Sequence, residues 1–274
     1  MTVAVFVKVF DGIVLATDSA TTVGLPDGSA QVYNNADKIF HLHRHLPLAA
    51  MTWGLGQIGP ASISTLAKDL RRMLMGEDPR YPDWKLDSGN YTVEKVASMT
   101  AQMLHDRLCR HFQEQPASPV GMLVAGYSSD NSHPEAWVFY VQGLDTPPAP
   151  ELVADAESSG WLAYAQPSAT DRLFKGYDSR LLAELLEALP EEHHAAVITT
   201  VRNQAQQPVM PAMPFPDAIA LAKYLVEVTS GYSHFLLGPD TVGGPVEVAG
   251  LNRHEGFKWI NRKHYYSNEL NQGA

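Results

Sequence analysis

The chain has 274 residues, of which 45% are hydrophobic and 18% charged, and its formal net charge is −10. That composition excludes a disordered chain, and an acidic balance with no lysine or arginine run excludes nucleic acid as an expected partner. A single cysteine, Cys109, precludes an internal disulfide, no apolar run nears the roughly 20 residues that span a bilayer, and no basic-then-apolar leader precedes the first strand, so a soluble, cytoplasmic protein is expected.

The first forty residues carry the densest pattern. Two strand-like runs, 2–10 and 13–19, flank Asp11-Gly12, a two-residue turn signal of the kind that closes a hairpin. The first run is apolar on both faces, with Val3, Val5, Val7 and Val9 on one and Ala4, Phe6 and Phe10 on the other, which predicts a strand covered on both sides. Thr2 stands directly behind Met1, and loss of that methionine would leave a threonine with a free α-amine of pKa roughly 7.7–8. Such an amine can take the hydroxyl proton of its own residue near neutral pH, the arrangement of an N-terminal threonine nucleophile. Asp18 ends the second run and Lys38 opens a third. A buried lysine beside the nucleophile would favour the alkoxide, and an aspartate would hold that lysine charged. A strict hairpin pairing Phe10 with Ile13 places Thr17 and Ser19, not Asp18, on the face of Thr2, so Asp18 reaches the site only if the pairing bulges or the strand has already ended.

Residues 21–36 form a polar loop, placed to line the entrance to a site at Thr2. Two further strands are expected over 38–42 and 46–53, around Arg44. His41, His43 and His45 alternate there; without a neighbouring Cys, Asp or Glu they are expected as exposed residues at a hairpin tip, not as a metal site. Gly54-Leu55-Gly56-Gln57-Ile58-Gly59 is formally a dinucleotide-binding G-x-G-x-x-G, but it does not follow the first strand, and its helix (61–75) leads into a Gly/Pro/Asp loop where a second strand is required. At a strand end facing Thr2, the amide of Gly54 could instead donate to a tetrahedral oxyanion.

An amphipathic helix is predicted over 91–112, with Thr92 at its cap. Strands follow at 120–127 and 136–142, a loop or irregular strand at 143–159, and a strand at 161–166. Ser168 then reads as a cap for a helix over 170–174, and helices are expected over 181–189 and 195–203. An almost wholly apolar helix over 217–228, expected to be buried, precedes a strand at 246–251 and a polar tail from Asn261. Two strands, two helices and two strands is the order expected of an α+β domain in which helices cover stacked sheets.

Thr2, the Asp11-Gly12 turn, Leu15-Ala16-Thr17-Asp18-Ser19 and Asp37-Lys38-Ile39 together resemble the N-terminal block of proteasome β-type subunits and their bacterial relatives, which are N-terminal-nucleophile (Ntn) hydrolases. The resemblance implies a single domain over 1–274, folded as a four-layer α-β-β-α sandwich of two stacked, mainly antiparallel sheets covered by helices. It implies Thr2 as nucleophile, Asp18 as orienting acid, Lys38 as basic partner and Gly54 as oxyanion donor, with no cofactor and no metal, and it places Thr52, just before Gly54, near the pocket wall. The backbone near Thr22 would pair with an extended peptide or unfolded-protein substrate, and the chain would assemble into a homo-oligomeric ring, away from membranes. Ser168 stands where that family has a serine bonded to the nucleophile, although the flanking glycines are missing. Asp240 stands near the family's aspartate, one residue closer to the paired glycines Gly243-Gly244, with no serine before them. Residues 143–216 exceed the family's minimum and are expected to hold an insertion. Two alternatives compete: a non-catalytic, ring-forming scaffold subunit, and a nucleotide-binding module built on Gly54–Gly59.

Overall fold

A computed structural model describes residues 2–24, 30–238 and 241–263. The chain opens with β1 (Ala4–Val9) and β2 (Gly12–Thr17), followed by β3 (Thr21–Gly24), β4 (Ala30–Tyr33), β5 (Ile39–His41) and β6 (Leu48–Gly54). The short β7 (Gln57–Ile58) and β8 (Ala61–Ser62) lead into α1 (Ile63–Leu74) and α2 (Val93–His111). Next come β9 (Val120–Gly126), β10 (Glu135–Val141), β11 (Glu151–Ala154) and β12 (Gly160–Tyr164). Helices α3 (Ser168–Phe174), α4 (Ser179–Ala188), α5 (His194–Arg202) and α6 (Phe215–His234) precede the closing strands β13 (Glu247–Asn252) and β14 (Gly256–Asn261).

The strands form two five-stranded sheets, ordered β12-β1-β2-β13-β14 and β11-β10-β9-β6-β5, with β3-β4 and β7-β8 as separate pairs. Every strand pairing is antiparallel. Alternation along β1 and β2 directs opposite faces to different partners. Val5, Val7, Val14 and Ala16 pack with Ala222, Leu225 and Val226 of α6, whereas Phe6, Ile13 and Leu15 join Met51, Leu123 and Val138 of the other sheet. The outer side of that other sheet, through Leu48, Met122 and Phe139, packs on Leu66 and Leu70 of α1 and on Val96 and Leu104 of α2. A strand covered on both faces is therefore what β1 is, as its sequence predicts.

Several expectations are corrected. The hairpin loop is Phe10-Asp11 and not Asp11-Gly12, because Val9 pairs with Gly12. Phe10 is consequently exposed instead of sharing a buried face. The second face of β1 also ends in a charge: Lys8 is buried, and its Nζ donates to the carbonyls of Asp155, Ala156 (3.2 Å) and Ser158 (2.7 Å). The polar stretch 21–36 contains the β3-β4 pair, its central residues lying outside those described.

Helix α6 is buried along one side only, through Ala218, Ala222, Leu225, Val226 and Thr229, while Tyr224 on another side is exposed. Its apolar composition is therefore not a sign of full burial. Helices α4 and α5 bury no residue at all, in keeping with a peripheral position for this part of 143–216. Ser168 is the first residue of α3 and makes no capping bond; Thr170 Oγ1 instead donates to the Pro167 carbonyl at 2.8 Å. Thr92 does cap α2, accepting from Lys95 N at 3.1 Å. Among the described residues no helix is long and apolar enough to cross a membrane.

Candidate active site

Thr2, Asp18 and Lys38 meet at one end of the β1-β2 hairpin, and all three are almost fully buried, with exposures of 5%, 1% and 4%. The register explains how Asp18 reaches this place. Asp18 follows the last residue of β2, Thr17, which pairs with Ala4. The alternation that would turn its carboxylate toward α6 has ended by then, and the carboxylate turns back under the start of β1. Its Oδ1 accepts from Val3 N (3.1 Å) and from Lys38 Nζ (2.7 Å), and its Oδ2 accepts from Ala20 N (3.0 Å) and Gly243 N (3.1 Å). Four donors fix this side chain, three of them backbone amides.

Lys38 precedes β5, whose pairing with β6 starts at Ile39 and Met51. Thr52 N donates to the Lys38 carbonyl at 2.9 Å, which anchors the lysine backbone to the neighbouring strand. Burial pushes the Lys38 ammonium below its ordinary pKa, the nearby Asp18 carboxylate opposes that, and the like charge of Lys263 adds to it. A lysine held in this balance exchanges a proton closer to neutrality than a surface lysine does.

Behind the pair stands a second set of charges that the sequence reading missed. Lys263 Nζ donates to Ser19 Oγ (2.8 Å) and the Ala36 carbonyl (2.6 Å), and lies 3.1 Å from Glu247 Oε2 and 3.6 Å from Asp37 Oδ1. The Glu247 contact is an ion pair without hydrogen-bond alignment, and burial raises the Glu247 pKa. An acid at the head of the apolar run 246–251 was the visible signal for Glu247; nothing in the sequence marked Lys263.

Thr2 and Lys38 line a cleft of about 540 Å³, whose other walls include Thr22 of β3, Thr52 and Gly54 of β6, and the first turn of α1. Thr52 Oγ1 donates to the Gly121 carbonyl at 3.0 Å, so its hydroxyl is already engaged. Gly54 has a φ of +83°, and a Cβ there would lie 2.1 Å from the Pro119 carbonyl oxygen. Packing alone therefore demands glycine at 54, whatever its amide does. At Gly59 an added Cβ would strike the His111 ring at 2.5 Å. Strands β7 and β8 separate Gly54 from α1, so the strand-turn-helix context of a dinucleotide fingerprint is absent.

Known families offer no further guide. No family model and no curated protein matches the chain.

Two sequence candidates lie elsewhere. Ser168 lines a different depression, of about 160 Å³, together with Thr241 and Val242 and apart from the Thr2 cleft. Asp240 falls outside the described residues. The histidine triplet is not the exposed cluster expected. Strand β5 ends at His41, whose ring stacks on Phe257 at 4.4 Å; His43 is buried and accepts from His45 N at 3.2 Å, and His45 alone is exposed. Burial pushes the His41 pKa down to about 4. Among the described residues, no cluster of His, Cys, Asp and Glu has the makings of a metal site.

Proposed function

We propose that this protein is an N-terminal threonine hydrolase that cleaves amide bonds, peptides being the favoured substrate, after removal of Met1. The observation that carries the reading is the buried Lys38–Asp18 pair beside Thr2 on the wall of a substrate-sized cleft. In this reading the two sheets and the helices outside them form the four-layer α-β-β-α sandwich of Ntn hydrolases. The free α-amine of Thr2 accepts the Oγ1 proton, and the oxygen attacks the substrate carbonyl. The C–N bond breaks as the amine leaves with that proton, and water then hydrolyses the threonyl ester, restoring the hydroxyl. Lys38 stabilises the developing alkoxide, and Asp18 keeps Lys38 oriented and charged. The amide of Gly54, at the cleft wall, is the candidate oxyanion donor. An extended substrate would lie along Thr21–Val23, which borders the same cleft.

Two measurements test this. Intact-mass analysis is expected to show a chain beginning at Thr2, and Thr2→Ala is expected to abolish both peptide hydrolysis and labelling by threonine-directed electrophiles. A mature protein that retains Met1 refutes the mechanism and favours the scaffold reading, and full activity in Thr2→Ala refutes the mechanism by excluding Thr2 as the nucleophile.

A further inference from the structure

A second hollow, of about 340 Å³, adjoins the Thr2 cleft and shares Asp37, Ser64 and Lys68 with it. It lies among α1, β5 and β14, and four basic side chains reach it. Lys68 and Arg71 stand three residues apart on one face of α1; Lys258 comes from β14, and Arg262 from just past its end. Among the described residues, none of the four has a carboxylate within ion-pair distance. The two acids on the wall, Asp37 and Glu247, are both taken up by Lys263, and Asp37 Oδ2 also accepts from Ser64 Oγ at 3.2 Å. Glu77, which faces Arg71 from the end of α1, lies 3.8 Å from Arg44 instead. On a chain with a net charge of −10, four unmatched cations around one hollow are a local reversal of sign.

That reversal opposes itself. Arg44 and Arg262 press as like charges on Arg71, which is also partly desolvated. The Arg262 guanidinium, on an exposed residue, sits 5.0 Å from the Trp259 ring centre, a contact that holds it at the rim of the hollow without removing the repulsion. An anion entering the hollow relieves the repulsion between Arg71 and Arg262 and supplies a counter-charge within reach of Lys68 and Lys258. Two guanidinium forks and two ammonium groups supply more charge and more donors than one carboxylate accepts, and their number suits a group with several equivalent oxygens. Phe257 and Trp259 add an apolar wall on which an organic substituent can rest.

We propose that this hollow is a binding site for a doubly charged phosphoryl group, either free phosphate or the phosphate of a small ester. The proposal stands apart from the threonine-hydrolase reading, because binding can be measured whether or not Thr2 is reactive.

The test is isothermal titration of the full chain at pH 7.5 and low ionic strength with inorganic phosphate and, separately, with phenyl phosphate. Sodium chloride at matched ionic strength is the control. Saturable binding is expected, weakened at least tenfold in Arg71→Gln/Lys258→Gln. Tighter binding of phenyl phosphate assigns an ester, and equal or weaker binding assigns the free ion. Without phosphate, the double variant is expected to melt at or above the temperature of the natural protein, since repulsion has been removed. If that variant fails to fold, Lys68→Gln/Arg262→Gln provides the same comparison. Absence of saturable binding by both probes, an equal response to chloride, unchanged affinity in the variants, or unfolding of both variants overturns the proposal.

Discussion

Replacing Asp18 by asparagine changes one atom and tests the whole anchoring scheme. Each carboxylate oxygen accepts two hydrogen bonds, at 2.7–3.1 Å, from donors that have no alternative acceptor in the same place. An amide nitrogen in either position therefore faces two donors. If it takes the Oδ2 position, the amides of Ala20 and Gly243 lose their partner while Lys38 loses its counter-charge. Each buried donor left unpaired costs about 1–3 kcal/mol, and breaking a buried ion pair by removing one partner costs about 3–5 kcal/mol. Because these losses share one site and relax together, we expect Asp18→Asn to destabilise the protein by about 3–5 kcal/mol, a large part of the total of about 5–15 kcal/mol usual for a folded domain. Urea unfolding followed by circular dichroism measures it. The charge component is separated by adding Lys38→Met, which removes the uncompensated ammonium; the double variant is expected to be more stable than Asp18→Asn alone. A single-variant loss below about 1 kcal/mol, or a double variant in which the two losses simply add, would refute the reasoning.

The half-buried His41, neutral at pH 7, gives a pH signature. Its native pKa of about 4 lies below the ordinary 6.5, so its contribution to stability is complete above pH 6.5 and is lost as pH falls through 4. Between pH 7 and 5 the full shift corresponds to about 2 kcal/mol, and solvent screening at this half-buried ring reduces the expected loss to about 1 kcal/mol; His41→Phe, which keeps the stack on Phe257, should show a correspondingly shallower loss in urea titrations at the two pH values. Gly54→Ala must move the Pro119 carbonyl and hold a non-glycine residue at φ +83°; a cost of about 2–3 kcal/mol in stability is expected, with peptide hydrolysis reduced as the cleft wall shifts. Lys8→Met strips the carbonyls of Asp155, Ala156 and Ser158 of their shared donor. We expect about 1–3 kcal/mol of destabilisation and earlier protease cleavage in the segment after β11, read by mass spectrometry of limited digests.

What could be read from the sequence was local. Thr2, Asp18 and Lys38 lie within a short stretch, and the hairpin that brings the first two together is marked by apolar residues and a turn signal. The geometric difficulty with Asp18 was also visible in advance, and the end of β2 at Thr17 resolves it. Contacts made at long range were not legible. Gly243 donates to a carboxylate 225 positions earlier, and Lys263 reaches a serine hydroxyl 244 positions away. No periodicity carries such information. Composition misled where one face alone mattered: α6 is apolar overall yet packs one side, and the polar stretch 21–36 pairs as strands although it lacks the alternation that announces them. Gly54 shows a different ambiguity, since packing against the Pro119 carbonyl already requires glycine at a position that also lies on the cleft wall, and the sequence cannot separate the two.

The pairing of β2 with β13 sets the order in which the protein can be completed. The second strand emerges early in synthesis, but its neighbour in the sheet begins only at Glu247. Until nearly the whole chain has left the ribosome, one edge of the hairpin stays open and the amide of Gly243 is not there to hold Asp18. Closure must wait for contacts of very large sequence separation, which makes the last step of folding slow. A translating or truncated copy would carry Asp18 without the Gly243 amide that holds its carboxylate, so the anchoring of the Asp18–Lys38 pair is completed only when the last strands arrive.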